Sequence, residues 1–338
     1  MNDRPMVSVC IANYNGLGVI EDCIASVYAQ NLDFSVEIII HDDASTDGSV
    51  AYIRNCYPDV KLIESTQNVG FCIANNRMVK SAAGEYLLLL NNDAALYPDA
   101  LTSLYKAARG IGKAAIFSLP QYDFDTGELL DIGSFVDPFL NPVPNMDPKR
   151  GEVAMVMGAC LWISKSLWQK LGGFPEWFNS LAEDLYLCCS ARLAGHPVRT
   201  LGTSGYRHRV GSSFGGGNVQ QGKLFTTRHR RSLSERNKTF VIAICNPLSL
   251  LIWLLPLHLV LIHLEGLLLT LIKGDADIWK EIYAPLFPAL WCQRKRLVTL
   301  RQSVQAQRKI SLSNWLVVFS WVPWKLRILV RYGLPNFT

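Results

Sequence analysis

Charge is scarce in this chain. Asp, Glu, Lys and Arg make up 18% of its 338 residues, against about 25% in an average soluble domain. With a hydrophobic share of 49%, that composition excludes a disordered chain and leaves ample apolar material for a core. Paired cysteine is lacking too. The nine cysteines, at positions 10, 23, 56, 72, 160, 188, 189, 245 and 292, are odd in number, form no Cys-x-x-Cys and have no histidine at ligand spacing. A disulfide-stapled scaffold is thereby excluded, and reduced, buried thiols are expected. Neither Gly-x-Gly-x-x-Gly nor Gly-x4-Gly-Lys-Ser/Thr occurs, so dinucleotide and P-loop readings lose their main support. Met1 to Val9 hold Asp3 and Arg4 and no long apolar run or small-residue cleavage site; no signal peptide is expected, and the chemistry is expected to start in the cytoplasm.

The charge that is present is unevenly divided. Residues 1–225 carry 17 Lys+Arg and 23 Asp+Glu, a net −6, whereas residues 226–338 carry 16 and 5, a net +11. The overall +5 therefore hides an acidic part and a basic part, taken here as an α/β domain over 1–225 and a basic, hydrophobic helical region over 226–338. In the first part, Val7–Ile11, Val36–Ile40, Val60–Ile63 and Tyr86–Leu90 read as buried strands. Between them, residues 19–30, 47–56 and 71–82 space their apolar residues three and four apart, as crossover helices do. Strand and helix in alternation predict a doubly wound, mostly parallel sheet. Residues 119–151, rich in Asp, Gly, Pro and Asn, read as an irregular excursion over the sheet's binding edge. Helices over 164–171 and 181–194 follow, separated by Gly172-Gly173-Phe174-Pro175.

From Phe240 to Ile272, 33 residues include one formal charge, Glu265. That is long enough to cross a bilayer at about 20 residues per span. Pro247 and Pro256 interrupt the run, and basic residues flank both ends: Arg228, Arg230, Arg231, Arg236 and Lys238 before it, Lys273, Arg294, Lys295 and Arg296 after it. Positive flanks on both sides favour a re-entrant or in-plane hairpin over a single span. Trp279, Trp291, Trp315, Trp321 and Trp324 among the basic residues suit a membrane surface with anionic lipid. A helical subdomain buried against the core or a partner subunit is the alternative.

In open α/β sheets ligands bind at the carboxyl ends of the strands. There the sequence places Ala12-Asn13-Tyr14-Asn15-Gly16, then His41-Asp42-Asp43-Ala44-Ser45-Thr46-Asp47-Gly48, then Asn91-Asn92-Asp93. Singly, each suits turn or helix-cap chemistry, Asp42 and Asp47 above all. In this order after successive strands they suit a nucleotide diphosphate with Mg²⁺ or Mn²⁺, ions held by one or two carboxylates and the phosphates themselves.

These stretches, with Asn68-Val69-Gly70-Phe71, Asn75-Asn76, Gly172-Gly173-Phe174, Glu183-Asp184 and the run from His208 to Ser213, resemble glycosyltransferase family 2 over residues 6 to about 215, and within it a bacterial rhamnosyltransferase-like branch. The resemblance implies a GT-A fold, a Rossmann-like mostly parallel sheet with flanking helices, followed here by the membrane-associating helices. It implies a nucleotide-diphosphate sugar at Ala12, Asn13, Tyr14, Asp43, Asn68, Asn76 and Asn92, with Asp43 on the base and the Asn13 loop along base and ribose. The family's Asp-x-Asp appears as Asn91-Asn92-Asp93, leaving Asp93 as the carboxylate ligand to Mg²⁺ or Mn²⁺ and His208 to complete the metal or diphosphate shell, a surface histidine between two arginines being the alternative. Asp184 is implied as general base with Glu183 beside it, although acids in a first helical turn also suit the helix dipole. Trp177 is either an acceptor-stacking face or a core residue, and Arg207 and Arg209 meet diphosphate oxygens or a membrane surface. The expected reaction is a single displacement with inversion onto a lipid-linked or polysaccharide acceptor at the cytoplasmic face of the inner membrane, in cell-envelope glycan synthesis. The branch suggests dTDP-L-rhamnose as donor. No nucleic acid is expected as partner, and a homo-oligomer is compatible with the reading. A catalytically silent membrane scaffold is the alternative, favoured only by Asn91.

Overall fold

Because helices cover both its faces, the sheet draws on near-continuous apolar strands rather than alternating ones. In the structure, a computed structural model that describes residues 4–211, 216–220 (backbone only) and 222–337, these are β1 (Val7–Asn13), β2 (Val36–Asp42), β3 (Lys61–Glu64) and β4 (Tyr86–Asn91). They run parallel, β1 between β2 and β4, with Ile11 opposite Ile40 on one side and Leu90 on the other. Helices α1 (Ile20–Tyr28), α2 (Ser49–Cys56) and α3 (Phe71–Ser81) cross over between them. Helix α1 buries Ile20, Cys23, Ile24 and Val27, one helical stripe, against the sheet. After β5 (Ala94–Leu96) and α4 (Ala100–Gly110), β6 (Ile116–Ser118) rejoins the sheet.

Residues 119–151 are more ordered than their composition suggests. They form β7 (Gln121–Asp123), β8 (Leu129–Asp131) and a short pair, β9 (Ser134–Val136) with β10 (Pro142–Pro144). The polar residues make the turns: Asp123 Oδ1 accepts the Asp125 and Thr126 amides, and Gly127 takes the left-handed conformation that closes the β7–β8 hairpin. Next, β11 (Cys160–Ser164) enters between β4 and β6, antiparallel to both, so the sheet is mixed. Trp162 at its centre is fully buried and stacks on Tyr86. Helix α5 (Lys165–Leu171) is capped by Ser164, and α6 (Glu183–Leu193), β12 (Val198–Thr200) and β13 (Tyr206–His208) complete this part. The seven-stranded order is β12-β6-β11-β4-β1-β2-β3, and β5-β13-β7-β8 form a second sheet.

The chain divides into two compact units. The first holds residues 1–134, 144–191 and 196–209; the second holds 135–143, 192–195 and 210–338. The second unit therefore begins its main segment before the expected boundary at 225/226. It contains β14 (Gly216–Gln220), β15 (Lys223–Thr226), α7 (Arg228–Cys245), α8 (Leu248–Lys273), α9 (Ala276–Ile278) running into a π-helical turn at Trp279–Tyr283, α10 (Leu286–Ala306), α11 (Leu312–Leu316), α12 (Trp324–Tyr332) and β16 (Asn336–Phe337). The long apolar run is thus two elements: Phe240–Cys245 ends α7, and the rest is α8. Asn246-Pro247 separates them, and the open carbonyls at the end of α7 accept from Arg301 and Gln305 of α10. Pro256, expected to interrupt the run, lies inside a continuous α8 on its exposed side. All nine cysteines are free, and all but Cys56 and Cys292 are buried.

Candidate active site

Asn13, the last residue of β1, organises the strand ends from a fully buried position. Its Nδ2 donates to Asp42 Oδ2 (2.8 Å) and Ser49 Oγ (3.1 Å), and its Oδ1 accepts from Asn92 Nδ2 (2.9 Å). Asp42 also accepts the Ser45 amide and hydroxyl. The chain bends tightly to do this: Asn15 and Ala44 both have positive φ, and a Cβ on Gly16 would fall 2.2 Å from Asn13 Oδ1. Asp47 accepts from Leu17 and Ser49; partial burial pushes its carboxyl up, but the Ser49 hydroxyl and the Leu17 and Ser49 amides outweigh that and hold it below the usual range. Both oxygens of buried Asp43 are committed to backbone amides, Val69 (2.7 Å) and Gly70 (2.8 Å). Asp43 therefore fixes the turn into α3, and a base reaching it meets only its remaining lone pairs. Half-buried Ala12 and Asn92 belong to this cluster, and Tyr14 and Asn68 lie exposed beside it. Asn76 does not belong to it: its Nδ2 donates to the Phe174 carbonyl (2.9 Å) and its Oδ1 accepts the Phe174 amide (3.1 Å), which docks the Gly172-Gly173-Phe174 turn on α3.

Asp93 and His208 are brought together by the second sheet. Antiparallel β5 and β13 set His208 opposite Ala94, and the Arg209 amide donates to the Asp93 carbonyl (3.1 Å). His208 Nε2 lies 3.2 Å from Asp93 Oδ1 and 3.4 Å from Asn91 Nδ2, while buried Nδ1 makes no hydrogen bond among the described residues. A carboxylate and an imidazole 3.2 Å apart fit neighbouring vertices of one octahedral ion, which for arms of about 2.1 Å stand about 3 Å apart. No group of three or more His, Cys, Asp or Glu gathers at ligating distance among the described residues. Two protein donors suit Mg²⁺ or Mn²⁺, which keep waters and phosphate oxygens as further ligands. The two arginines flanking His208 differ: Arg207 is exposed, whereas Arg209 stacks 3.3 Å above the Phe124 ring and donates to Asp22 (2.7 Å). Ser212 and Ser213, which end this motif, lie outside the described residues.

Asp184 lies in the first turn of α6. Its Oδ2 accepts the Gly158 amide (3.0 Å) and its Oδ1 the Leu185 amide (2.7 Å). The neighbouring Ala159 carbonyl accepts the Asn91 amide (3.0 Å), so residues 158–159 link the candidate base to the Asn91-Asn92-Asp93 loop. Glu183 beside it is buried. The approach to α6 is conformationally costly: Asn179, Leu181 and Ala182 all have φ between 62° and 72°, a region non-glycine residues rarely adopt. The Asn179 carbonyl accepts the Cys72 amide, and glycine at position 70 lets the Asn179 side chain approach. Trp177, on a 3-10 turn, is half-buried and packs edge to face on Phe178.

Two buried groups report the field at this site. Burial pushes the Tyr206 hydroxyl well up, and Asp131, Cys160, Asp184 and Asp93 push it further. Burial and the charges of Glu183, Asp184 and Glu176 do the same to the Cys72 thiol. Tyr206 thus senses both Asp93 and Asp184 and a third carboxylate, Asp131, which sequence reasoning missed. Asp131 is pushed up to about 6 by burial, against the Gly133 amide and the charge of His208. It belongs to no motif and sits in a polar stretch, so only the pairing of β7 with β8 and β13 brings it here.

Residues 8–172 match the family model described as glycosyl transferase family 2. An uncharacterized glycosyltransferase of Escherichia coli K12, YibD, is 34% identical over 111 residues, 32% of each chain. A Bacillus subtilis protein named for teichuronic acid biosynthesis, the glycosyltransferase TuaG, is 33% identical over 95 residues, 27% of this chain and 37% of that one. The chain thus matches about a third of the length of either relative. The mannosyltransferase PcManGT of Pyrobaculum calidifontis, solved with GDP-Man and Mn²⁺, superposes with a TM-score of 0.54 at 20% identity, covering 90% of this chain and 86% of that one. The fold is that of the GT-A glycosyltransferases.

Proposed function

From the match of residues 8–172 to the family model described as glycosyl transferase family 2, we propose an inverting, metal-dependent transferase that moves a sugar from a nucleotide diphosphate to a lipid-linked or polysaccharide acceptor in cell-envelope glycan synthesis. One observation carries this reading: the Asp93–His208 pair and Asp184 are tied to the same short backbone, Asn91 to Ala159 and Gly158 to Asp184. Asp184 takes the proton from the acceptor hydroxyl as its oxygen bonds to the anomeric carbon. The bond from that carbon to the diphosphate oxygen breaks on the opposite face, and the nucleotide diphosphate leaves. No covalent nucleophile is needed. The Gly158 amide orients the carboxylate, with buried Glu183 beside it. A divalent ion held by Asp93 and His208 would neutralise the leaving diphosphate. Asn13, Asn92 and Asp43 shape the pocket's nucleotide side chiefly through the loops they fix, and Trp177 is offered to the acceptor.

The donor is proposed as dTDP-L-rhamnose on the branch resemblance. Mn²⁺ and a nucleotide sugar in a structural neighbour and the name of the teichuronic acid relative support donor class, metal and envelope setting in general terms. The basic, apolar second unit is proposed to hold the enzyme on the cytoplasmic face of the inner membrane. A panel of nucleotide sugars with defined acceptors tests all of this. Transfer is expected with one donor and expected to fall at least about 100-fold in Asp184→Asn, which keeps an acceptor for the Gly158 amide while losing the base. Turnover near wild type would remove Asp184 from that role. A wild-type protein silent with every donor would favour the scaffold reading that the Asn91 substitution suggests.

A further inference from the structure

Helix α8 is amphipathic inside out. Its buried stripe is His258, Ile262, Gly266 and Leu269. Its outward side carries Ile252, Trp253, Leu257, Val260, Leu261, Leu264, Leu267, Leu268, Leu271 and Ile272, with Trp253 73% and Leu271 77% exposed. The polar groups point the other way. His258 Nε2 lies 2.8 Å from Thr239 Oγ1, and Glu265 joins Arg231 of α7, Lys325 of α12 (2.7 Å) and Tyr283 (3.1 Å). Glu235 extends the network to Arg231, Lys238 and Lys325. Gly266 allows the close approach, since a Cβ there would fall 2.4 Å from the Tyr283 ring.

This helix is the one among the described residues that is long and apolar enough to cross a membrane. Its neighbours decide the orientation. Residues 258 and 265 straddle the midpoint of the 26-residue helix, and against them α7 lays Thr239, Lys238, Glu235 and Arg231. A crossing helix would carry these ions to the centre of the hydrocarbon, where charge is most costly. Lying flat, the helix puts the apolar side in lipid and the ions in protein. The charge around it suits anionic headgroups. All five acids of residues 226–338 are paired within the unit, Glu235 and Glu265 as above and Asp275, Asp277 and Glu281 with Arg228. Arg294, Lys295, Arg296, Arg327 and Arg331 have no carboxylate partner among the described residues. Exposed Trp291, with Arg294 stacked 4.4 Å away, and exposed Trp321 and Val330 lie on the same unit.

We infer that α8 lies in the plane of an anionic membrane, its outward side in the acyl region of one leaflet, and does not span it. The inference rests on the membrane-surface reading above and narrows it. Cysteines placed at Trp253, Val260 and Leu271, which share one side of the helix and are all exposed, in a full-length Cys56→Ser, Cys292→Ser background, are labelled with a fluorophore and quenched by lipids brominated at known depths in phosphatidylglycerol/phosphatidylcholine vesicles. Equal, shallow depths at all three are expected. A deep Val260 between shallow ends would overturn the in-plane orientation and keep the membrane reading. Unlabelled wild-type chain that fails to float with vesicles would overturn both. Binding to anionic vesicles is expected to exceed binding to pure phosphatidylcholine at least about tenfold and to fall in high salt; equal binding to both would overturn the anionic-lipid assignment. A lipid-free dimer in light scattering, with labels already shielded, would instead assign the stripe to a second copy of the chain.

Discussion

At the residue scale, the strand-end polar side chains do two jobs that look alike in sequence. Asp93 pairs with His208, and Asp184 accepts the Gly158 and Leu185 amides, in the arrangement the proposed chemistry draws on, whereas Asn13, Asp42 and Asn76 hold loops. Asn13→Ala strips partners from Asp42, Ser49 and Asn92 at once and is expected to lower stability by about 1–3 kcal/mol, read as a shifted urea midpoint with unchanged slope. Asp93→Ala is expected to abolish Mn²⁺ binding followed by electron paramagnetic resonance, with His208→Ala weakening it; Mn²⁺ bound equally by all three proteins would remove the pair from metal binding. Asp131 gives a pH signature. Its carboxyl is pushed from 3.8 to about 6 in the fold, so below about pH 4 folded and unfolded chains both hold the proton. Between 4 and 6 the unfolded chain releases a proton that the fold retains, and stability falls as pH rises through that window. Asp131→Asn is expected to flatten this slope, adding on the order of 1–2 kcal/mol above pH 6 and nothing near pH 3, measured as Tm against pH. The motif residues were legible one by one, because loops at strand ends announce themselves; Asp131 was not, because no local pattern marks a carboxylate gathered in by a neighbouring hairpin. The bond partners of Asp43 and Asn76 were equally invisible, since both reach loops far away in sequence.

At the element scale, the four parallel strands and their three crossover helices lie within a few residues of where apolar spacing puts them. Periodicity works there because each element buries its own stripe. It fails for β11, an antiparallel strand whose place between β4 and β6 depends on strands 40 and more residues earlier, and for 119–151, where the turn residues dominate the composition and mask short strands. Pro256 misleads for a different reason: a proline costs a helix one amide and some bending, which α8, held along its inner side by Glu265 and His258, absorbs. Gly266 is the tighter constraint. Gly266→Leu drives a side chain into the Tyr283 ring and is expected to cost about 1–3 kcal/mol and to loosen α8 from α7, seen as faster amide exchange at residues 258–269. An unchanged exchange pattern would mean that the contact is not what seats the helix.

At the scale of the whole molecule, the uneven charge of the sequence has a structural counterpart. Asp42, Asp43 and Asp93 of the first unit lie at strand ends, and the five acids of residues 226–338 are consumed by internal pairs, which leaves Arg294, Lys295, Arg296, Arg327 and Arg331 exposed. On the proposed function, an apolar helix side carried on such a unit changes what concentration means. A transferase lying in one leaflet beside a lipid-borne acceptor meets it by lateral diffusion, so its rate follows the acceptor's mole fraction in the membrane. Adding inert phospholipid or detergent at constant total acceptor should then slow the reaction in proportion, as surface dilution, although nothing in solution has been diluted.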